Sequence, residues 1–262
     1  MNLKLLHIFL LSTGGTLLLC TPLIHTTELV NGLVIGKMCW FHLVMLFFSV
    51  CVFFVVLTKR TTAIAFLSSD LLLLIFTGTV LITYKWSLNP EPEKLIFIGQ
   101  LVIFWFLLRY ILTAYREFNF FFLFVGILTG LVEAVWGMQQ LHGHAYSNHS
   151  LFRLTGSFFN PGPYSGYLAV VLPVGLWMAL RFQKGMRCFG YICVGAILIV
   201  LPAGMSRSAW MAAVVACGWV YWAERIGWEK TKAVYRRNKN ATIPLLRLWR
   251  YWWGALLPSC TA

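Results

Sequence analysis

Apolar runs of about twenty residues recur along this chain, and almost every charge falls in the short stretches between them. Eight such segments are marked at roughly 5–24, 33–57, 62–83, 95–114, 118–138, 164–180, 188–204 and 208–223. At 1.5 Å per helical residue, about twenty residues cross the roughly 30 Å of bilayer hydrocarbon. Backbone amides in hydrocarbon must bond within their own segment, and alternating ten-residue barrel strands are absent, so the segments are predicted to be helices. The expected fold is an all-α polytopic transmembrane bundle of about eight helices. Composition agrees: 60% of residues are hydrophobic and 11% charged, where soluble domains carry about 25% charged residues. A soluble enzyme, a disordered segment and a disulfide-stapled secreted module are excluded. The first run, Leu5 to Ile24, exceeds a signal-peptide core and lacks an Ala-x-Ala end, so it reads as the first membrane helix.

A formal net charge of +13 would suit a nucleic-acid binder, but the charges follow topology instead. Of the 21 basic residues, 16 fall on one set of alternating helix ends: Lys4, Lys59 and Arg60, Arg109 and Arg116, Arg181, Lys184 and Arg187, and eight from Arg225 to Arg250. The other ends carry Lys37, Lys85, Lys94, Arg153 and Arg207. The positive-inside rule then predicts a cytoplasmic N-terminus. The domain organisation follows: 1–138 holds helices one to five, 139–163 is an outward loop, and 164–223 holds helices six to eight. Residues 224–250 are expected to form a basic cytoplasmic loop against anionic membrane lipids, and 251–262 the start of an incomplete ninth helix. The expected partners include lipids and no nucleic acid. The seven cysteines sit almost entirely in apolar runs without a Cys-x-x-Cys pair, so they read as small hydrophobes, and no metal or other cofactor is expected.

Two acids lie inside helices. Asp70, beside Ser68 and Ser69 near a helix end, is expected to be solvated or locally bonded. Glu133 lies one or two turns below the outward loop and is positioned to brace an arginine there.

The strongest local pattern is RLTGSFFNPGPYSGYLAVVLP, residues 153–173. Gly156 permits a tight approach or a positive φ. Asn160 and Pro161 impose an extended or turn conformation before the sixth helix. With Arg153 close to an outward helix N-terminus, the stretch suits an anion such as phosphate, although a turn that merely caps a helix has the same pattern. A second pattern, Gly204-Met205-Ser206-Arg207-Ser208, forms the tip of a tight hairpin between helices seven and eight. Arg207 there is either a clamp for phosphate oxygens or an arginine snorkelling to the interface.

Together, RLTGSFFNPGPYSGYLA and, about 45 residues on, GMSRSAW resemble the core of the O-antigen ligase and polymerase superfamily, which includes bacterial O-oligosaccharyltransferases. Members typically carry Arg-x-x-Gly-x-Phe-x-Asn-Pro before one membrane helix and Ser-Arg-Ser/Gly at the start of a later one. The resemblance covers residues 120–225 by motif and the preceding helices by architecture only. It implies metal-independent, inverting glycan transfer at the periplasmic face of a bacterial inner membrane. The donor it implies is a glycan on a polyprenyl diphosphate, and the acceptor a lipid A core, another glycan or a protein hydroxyl. Arg153 and Arg207 match the arginines that hold the donor diphosphate, with Gly156, Asn160, Pro161, Ser206 and Glu133 in support. The family's histidine base lies in a periplasmic loop after the Ser-Arg segment. His142, His144 and His149 precede Arg153 and do not match it, which leaves the catalytic base unassigned. On this resemblance the chain corresponds to the N-terminal part of a transferase, as a fragment, a frameshifted product or a shortened homologue.

Two alternatives differ in class. One is a non-catalytic protein that binds or transports lipid-linked glycan; a transporter would more often show inverted repeats, and none is visible. The other is an intramembrane serine hydrolase built on Gly204-x-Ser206, which would require a base within reach of Ser206.

Overall fold

All eight apolar segments are helices in the computed structural model, which describes residues 3–26, 32–59, 66–86, 92–115 and 117–237, the side chains of 228–237 excepted. In chain order they are α1 (Leu3–Leu19), α2 (Gly32–Lys59), α3 (Ser68–Lys85), α4 (Pro92–Ala114), α5 (Glu117–Leu141), α6 (Pro161–Arg181), α7 (Lys184–Val200) and α8 (Arg207–Arg237). Short 3-10 turns follow α1 (Thr21–Leu23) and α7 (Pro202–Gly204), and no strand occurs among the described residues. The protein is an all-α, multi-pass membrane protein: α2 to α6, and α7 taken together with the 3-10 turn that continues it to Gly204, are each long and apolar enough to cross a bilayer. Helix α1, at 17 residues, rises only about 26 Å.

Helix α8 outruns its expected end at 223 and continues to Arg237. Apolarity stops near Ala223, but no proline interrupts the sequence from Arg207 to Arg237, and Glu, Lys, Arg and Ala sustain a helix in water as well as in lipid. The stretch expected to be a basic loop is therefore helical as far as Arg237. Its remainder, 238–250, and the predicted start of a ninth helix at 251–262 lie outside the described residues, as do Arg60 and Arg116.

The chain divides into two units, 1–164 and 165–262. In the first, α1 packs on α2 and α5, and α4 on α2, α3 and α5. Their shared core is built from Leu11, Leu18, Phe48, Val52, Ile111 and Phe118 among others. Small residues let backbones approach, as is usual where no hydrophobic force distinguishes a neighbouring helix from lipid. A Cβ on Gly14 would lie 2.7 Å from the Phe48 ring, and one on Gly15 would lie 2.1 Å from Phe122. Large apolar side chains face outward in number, Leu43, Leu46, Phe53 and Leu72 among them, as a lipid-facing surface requires.

Asp70 is not solvated: it is 1% exposed. Its carboxylate pairs with Arg109 of α4, accepts from Trp105 Nε1 at 2.8 Å, and accepts from the Leu67 amide at 2.8 Å. The local bond was expected, whereas the ion pair across to α4 is a tertiary feature. His7 is likewise enclosed, between the Tyr115 hydroxyl at 2.7 Å from Nδ1 and the Thr58 hydroxyl at 2.8 Å from Nε2.

In the second unit α6 and α7 touch at Gly190, where a Cβ would stand 2.7 Å from the Ala179 backbone nitrogen. Pro173 lies inside α6 and removes one internal hydrogen bond there. The α7–α8 connection is as tight as the sequence suggests. Met205 adopts a left-handed conformation (φ 52°) between the 3-10 turn and α8, and Trp210 Nε1 donates to Leu201 O at 2.9 Å across the hairpin.

Candidate functional site: a loop bolted to a helix face

Glu133, Gly137 and Gln140 recur at helical spacing along the last turns of α5, and all three are buried. They form one face, against which the loop 142–160 folds back. Gln140 uses its whole side-chain amide. Its Oε1 accepts from the backbone amides of Thr155 (2.9 Å) and Gly156 (2.8 Å). Its Nε2 donates to the carbonyls of Gly156 and Tyr146, both at 3.0 Å.

Two turns earlier, Glu133 Oε2 accepts from the Ser157 amide at 3.0 Å. The Glu133 main-chain carbonyl accepts from the Tyr164 hydroxyl at 3.1 Å. Gly156 sits between these anchors with φ +56°, and a Cβ there would lie 2.4 Å from the Tyr164 ring and 2.5 Å from Glu133 Oε2. Only glycine fits, because both the backbone angle and the available space exclude a side chain.

The loop's outer layer is tied by Asn148. Its Nδ2 donates to Gly156 O and Phe158 O at 3.0 Å each, and its backbone amide donates to Thr155 Oγ1 at 3.2 Å. His25 reaches in from the segment after α1, with Nε2 donating to Asn148 Oδ1 at 3.4 Å. Lys37, in the second turn of α2, completes the anchor. Its ammonium donates to Ile24 O at 2.7 Å, to Ser157 Oγ at 3.0 Å and to Pro22 O, and it lies 4.8 Å from the Phe158 ring centre. Ser157 Oγ also donates to Pro22 O. Lys37 and Glu133 interact electrostatically and share Ser157 as a contact, so a cation and an anion compensate each other inside the bundle. Glu133 is fully buried, and its Oε1 has no hydrogen-bond partner among the described residues.

Leu154, Thr155, Gly156 and Ser157 are consequently buried, while Arg153 immediately before them is exposed. Arg153 makes no hydrogen bond or ion pair with any described residue. Asn160 is exposed directly before α6, and Pro161 is the first residue of that helix, where a missing amide costs nothing. Glu133 does not brace an arginine: its carboxylate holds the Ser157 amide instead, because the loop turns its backbone rather than Arg153 toward α5.

In the second unit, Arg207 is the first residue of α8 and is also exposed, without a partner among the described residues. Ser206 Oγ lies 3.3 Å from Ser208 Oγ; all six histidines of the sequence fall in the first unit, so the second unit by itself offers Ser206 no histidine base. Ser165 Oγ, buried in α6, donates to Gly204 O at 3.3 Å and holds the hairpin's base. Arg153 and Arg207 belong to different units.

Two of the three loop histidines are engaged locally, and His144 is exposed. His142 Nδ1 donates to Met138 O at 2.8 Å. His149 lies against Phe152 and Phe159, with Nδ1 accepting from the Leu151 amide at 3.1 Å.

Lys37, Gln140 and Asn148 are the site residues that sequence reasoning missed. Lys37 carried a signal, as a charge within an apolar run, but was counted only toward topology. Gln140 stands seven residues after Glu133 on the same helical face, a spacing that pairs the two.

Comparison with known proteins adds no relative: no family model matches the sequence, and neither the curated proteins nor the solved structures contain a match.

Proposed function

We propose that this protein grips the diphosphate of a polyprenyl-linked glycan at the periplasmic face of a bacterial inner membrane, and transfers the glycan to a lipid A core, glycan or protein acceptor. The observation that carries the reading is the exposed Arg153, without a partner among the described residues, directly before four buried residues of which Thr155, Gly156 and Ser157 are bonded to α5. A guanidinium on a rigid base loses little entropy when it meets an oxyanion, and its planar fork matches two phosphate oxygens. Arg207 offers a second fork at the first turn of α8, where the helix dipole also favours an anion.

In the transfer the acceptor hydroxyl oxygen forms a bond to the anomeric carbon and gives up its proton to a base or to water, while the bond from that carbon to the diphosphate breaks and the diphosphate leaves with the bonding pair. The two arginines would stabilise the charge that develops on it. The motif order, Arg-x-x-Gly-x-Phe-x-Asn-Pro followed by Ser-Arg-Ser, is what ties this chemistry to ligases and polymerases of O-antigen.

A second reading, binding of the lipid-linked glycan without transfer, is favoured by the local engagement of His142 and His149. One experiment addresses both. The protein is reconstituted in liposomes with a photoreactive polyprenyl-diphosphate oligosaccharide and an acceptor, and crosslinking and product are measured together. Crosslinking with product supports transfer, and crosslinking alone supports binding. Crosslinking that persists at wild-type level in both Arg153→Ala and Arg207→Ala overturns the assignment.

A further inference from the structure

At the far end of the second unit, the two-residue turn between α6 and α7 faces the middle of α8 across a cavity of about 340 Å³. Arg181, Gln183 and Arg187 line it from the turn, and Tyr221, Glu224 and Arg225 line it from α8. We propose that this cavity binds the phosphate of an anionic phospholipid headgroup.

Three guanidinium groups meet one carboxylate there, an excess of two positive charges. None of the three arginines forms an ion pair among the described residues, although Glu224 lines the same cavity. Arg187 spends only Nε, which donates to Phe182 O at 3.0 Å, so both of its terminal nitrogens remain available. Arg225 Nη1 reaches the Tyr221 hydroxyl at 3.4 Å, and that bond steadies the guanidinium over the opening. Gln183 is the N-cap residue of α7 and makes no capping bond with its side chain, so the first-turn amides add to the preference for an anion. Basic pockets between membrane helices take anionic headgroups for this reason.

Depth is indicated independently. The turn that lines the cavity joins the end of Pro161–Arg181 to the start of Lys184–Gly204, both long and apolar enough to cross a bilayer. The cavity is therefore at the shared end of two candidate membrane spans, where headgroups lie. Trp219, Tyr221 and Trp222 are exposed at the same level, at 66%, 52% and 54%. An exposed aromatic cluster is characteristic of the membrane–water boundary. Free phosphate would use the same arginines but would have no use for the apolar surface beside them, and that surface favours a ligand with acyl chains.

The test uses the full chain in uncharged detergent, with native mass spectrometry to count retained lipid. The probes are dioleoyl phosphatidylglycerol, dioleoyl phosphatidylcholine and inorganic phosphate. Phosphatidylglycerol is expected to be retained at least about tenfold better than phosphatidylcholine. Arg187→Gln and Arg225→Gln should each weaken it about fivefold, whereas Lys85→Gln, on exposed α3 surface, should leave it unchanged. Glu224→Gln removes the opposing charge and should strengthen retention severalfold, an outcome that a misfolded variant cannot mimic. Equal retention of the two lipids overturns the proposal, as does wild-type retention in both arginine variants or no gain in Glu224→Gln. Displacement of phosphatidylglycerol by inorganic phosphate at equal concentration would make free phosphate the ligand and overturn the lipid assignment.

Discussion

Gln140 holds Gly156 from both sides: its carbonyl oxygen accepts the Gly156 amide at 2.8 Å, and its amide nitrogen donates to the Gly156 carbonyl at 3.0 Å. A side-chain amide that mimics a neighbouring strand in this way fixes the backbone angles of one residue. That residue is the glycine on which the loop turns. The exposed Arg153 thus takes its position from a residue it does not touch.

Replacing Gln140 by Leu keeps the volume and strands the buried amides of Thr155 and Gly156 and the Tyr146 carbonyl, while the Gly156 carbonyl keeps its bond from Asn148 Nδ2. A loss of about 2 to 4 kcal/mol in stability is expected, since each unpaired buried group costs about 1 to 3 kcal/mol and part of the loop can relax to water. Thermal unfolding in detergent measures it, and hydrogen exchange should accelerate selectively at Thr155 and Gly156. Unchanged exchange there would show that the clamp is dispensable.

Gly156→Ala places a methyl group 2.4 Å from the Tyr164 ring with φ at +56°. The left-handed conformation alone costs about 1 kcal/mol or more, and the contact forces Tyr164 off the Glu133 carbonyl. The expected result is a lowered melting temperature and easier protease cleavage between residues 142 and 160. Wild-type melting would mean that the loop has another conformation.

Asp70 and Arg109 form an enclosed ion pair between α3 and α4. Removing one partner should be worse than removing both, because it leaves a buried charge alone. Asp70→Leu is expected to cost about 3 to 5 kcal/mol, and the double change with Arg109→Leu to recover most of it. Additive losses in the double variant would contradict a paired origin.

Arg153→Lys and Arg207→Lys keep the charge and lose the fork. If the arginines grip a diphosphate, each lysine variant should retain under about a tenth of the donor crosslinking, with thermal stability unchanged because both side chains are exposed. Full crosslinking with lysine would reduce their role to a general positive potential.

The orientation predicted from the basic residues is checked with single cysteines in a background from which the seven native cysteines have been removed. Ser150→Cys, exposed in the 142–160 loop, should react with an impermeant maleimide added outside intact cells, and Gly185→Cys, exposed at the α6–α7 turn, should not. The reverse pattern would invert the topology.

Local features of this protein were legible before folding was considered. The eight helices followed from run length, because a backbone in hydrocarbon has no other way to satisfy its amides within one segment. The turn at Gly156 and the tight Gly204–Ser208 hairpin were equally local, each set by the conformational range of the residues themselves, whereas the start of α6 was misplaced: Asn160-Pro161 reads as an extended or turn stretch before a helix at 164, but Pro161 opens the helix, because its fixed φ and missing amide suit a first helical position. The apolar signal misjudged α8 past Ala223, since it reports solvent rather than helicity, and the helix continues into water on its own propensity.

Partner choice was decided by tertiary structure. Asp70 finds Arg109, Glu133 finds the Ser157 amide, and Lys37 finds Pro22, Ile24 and Ser157. A buried polar group must be satisfied, and the sequence alone says so. Which group satisfies it depends on which helices lie side by side and how they are rotated, and no local pattern encodes that. The 153–173 motif therefore announces a turn, while the helix face presented by Glu133 and Gln140 determines that the turn buries its backbone and leaves Arg153 outside.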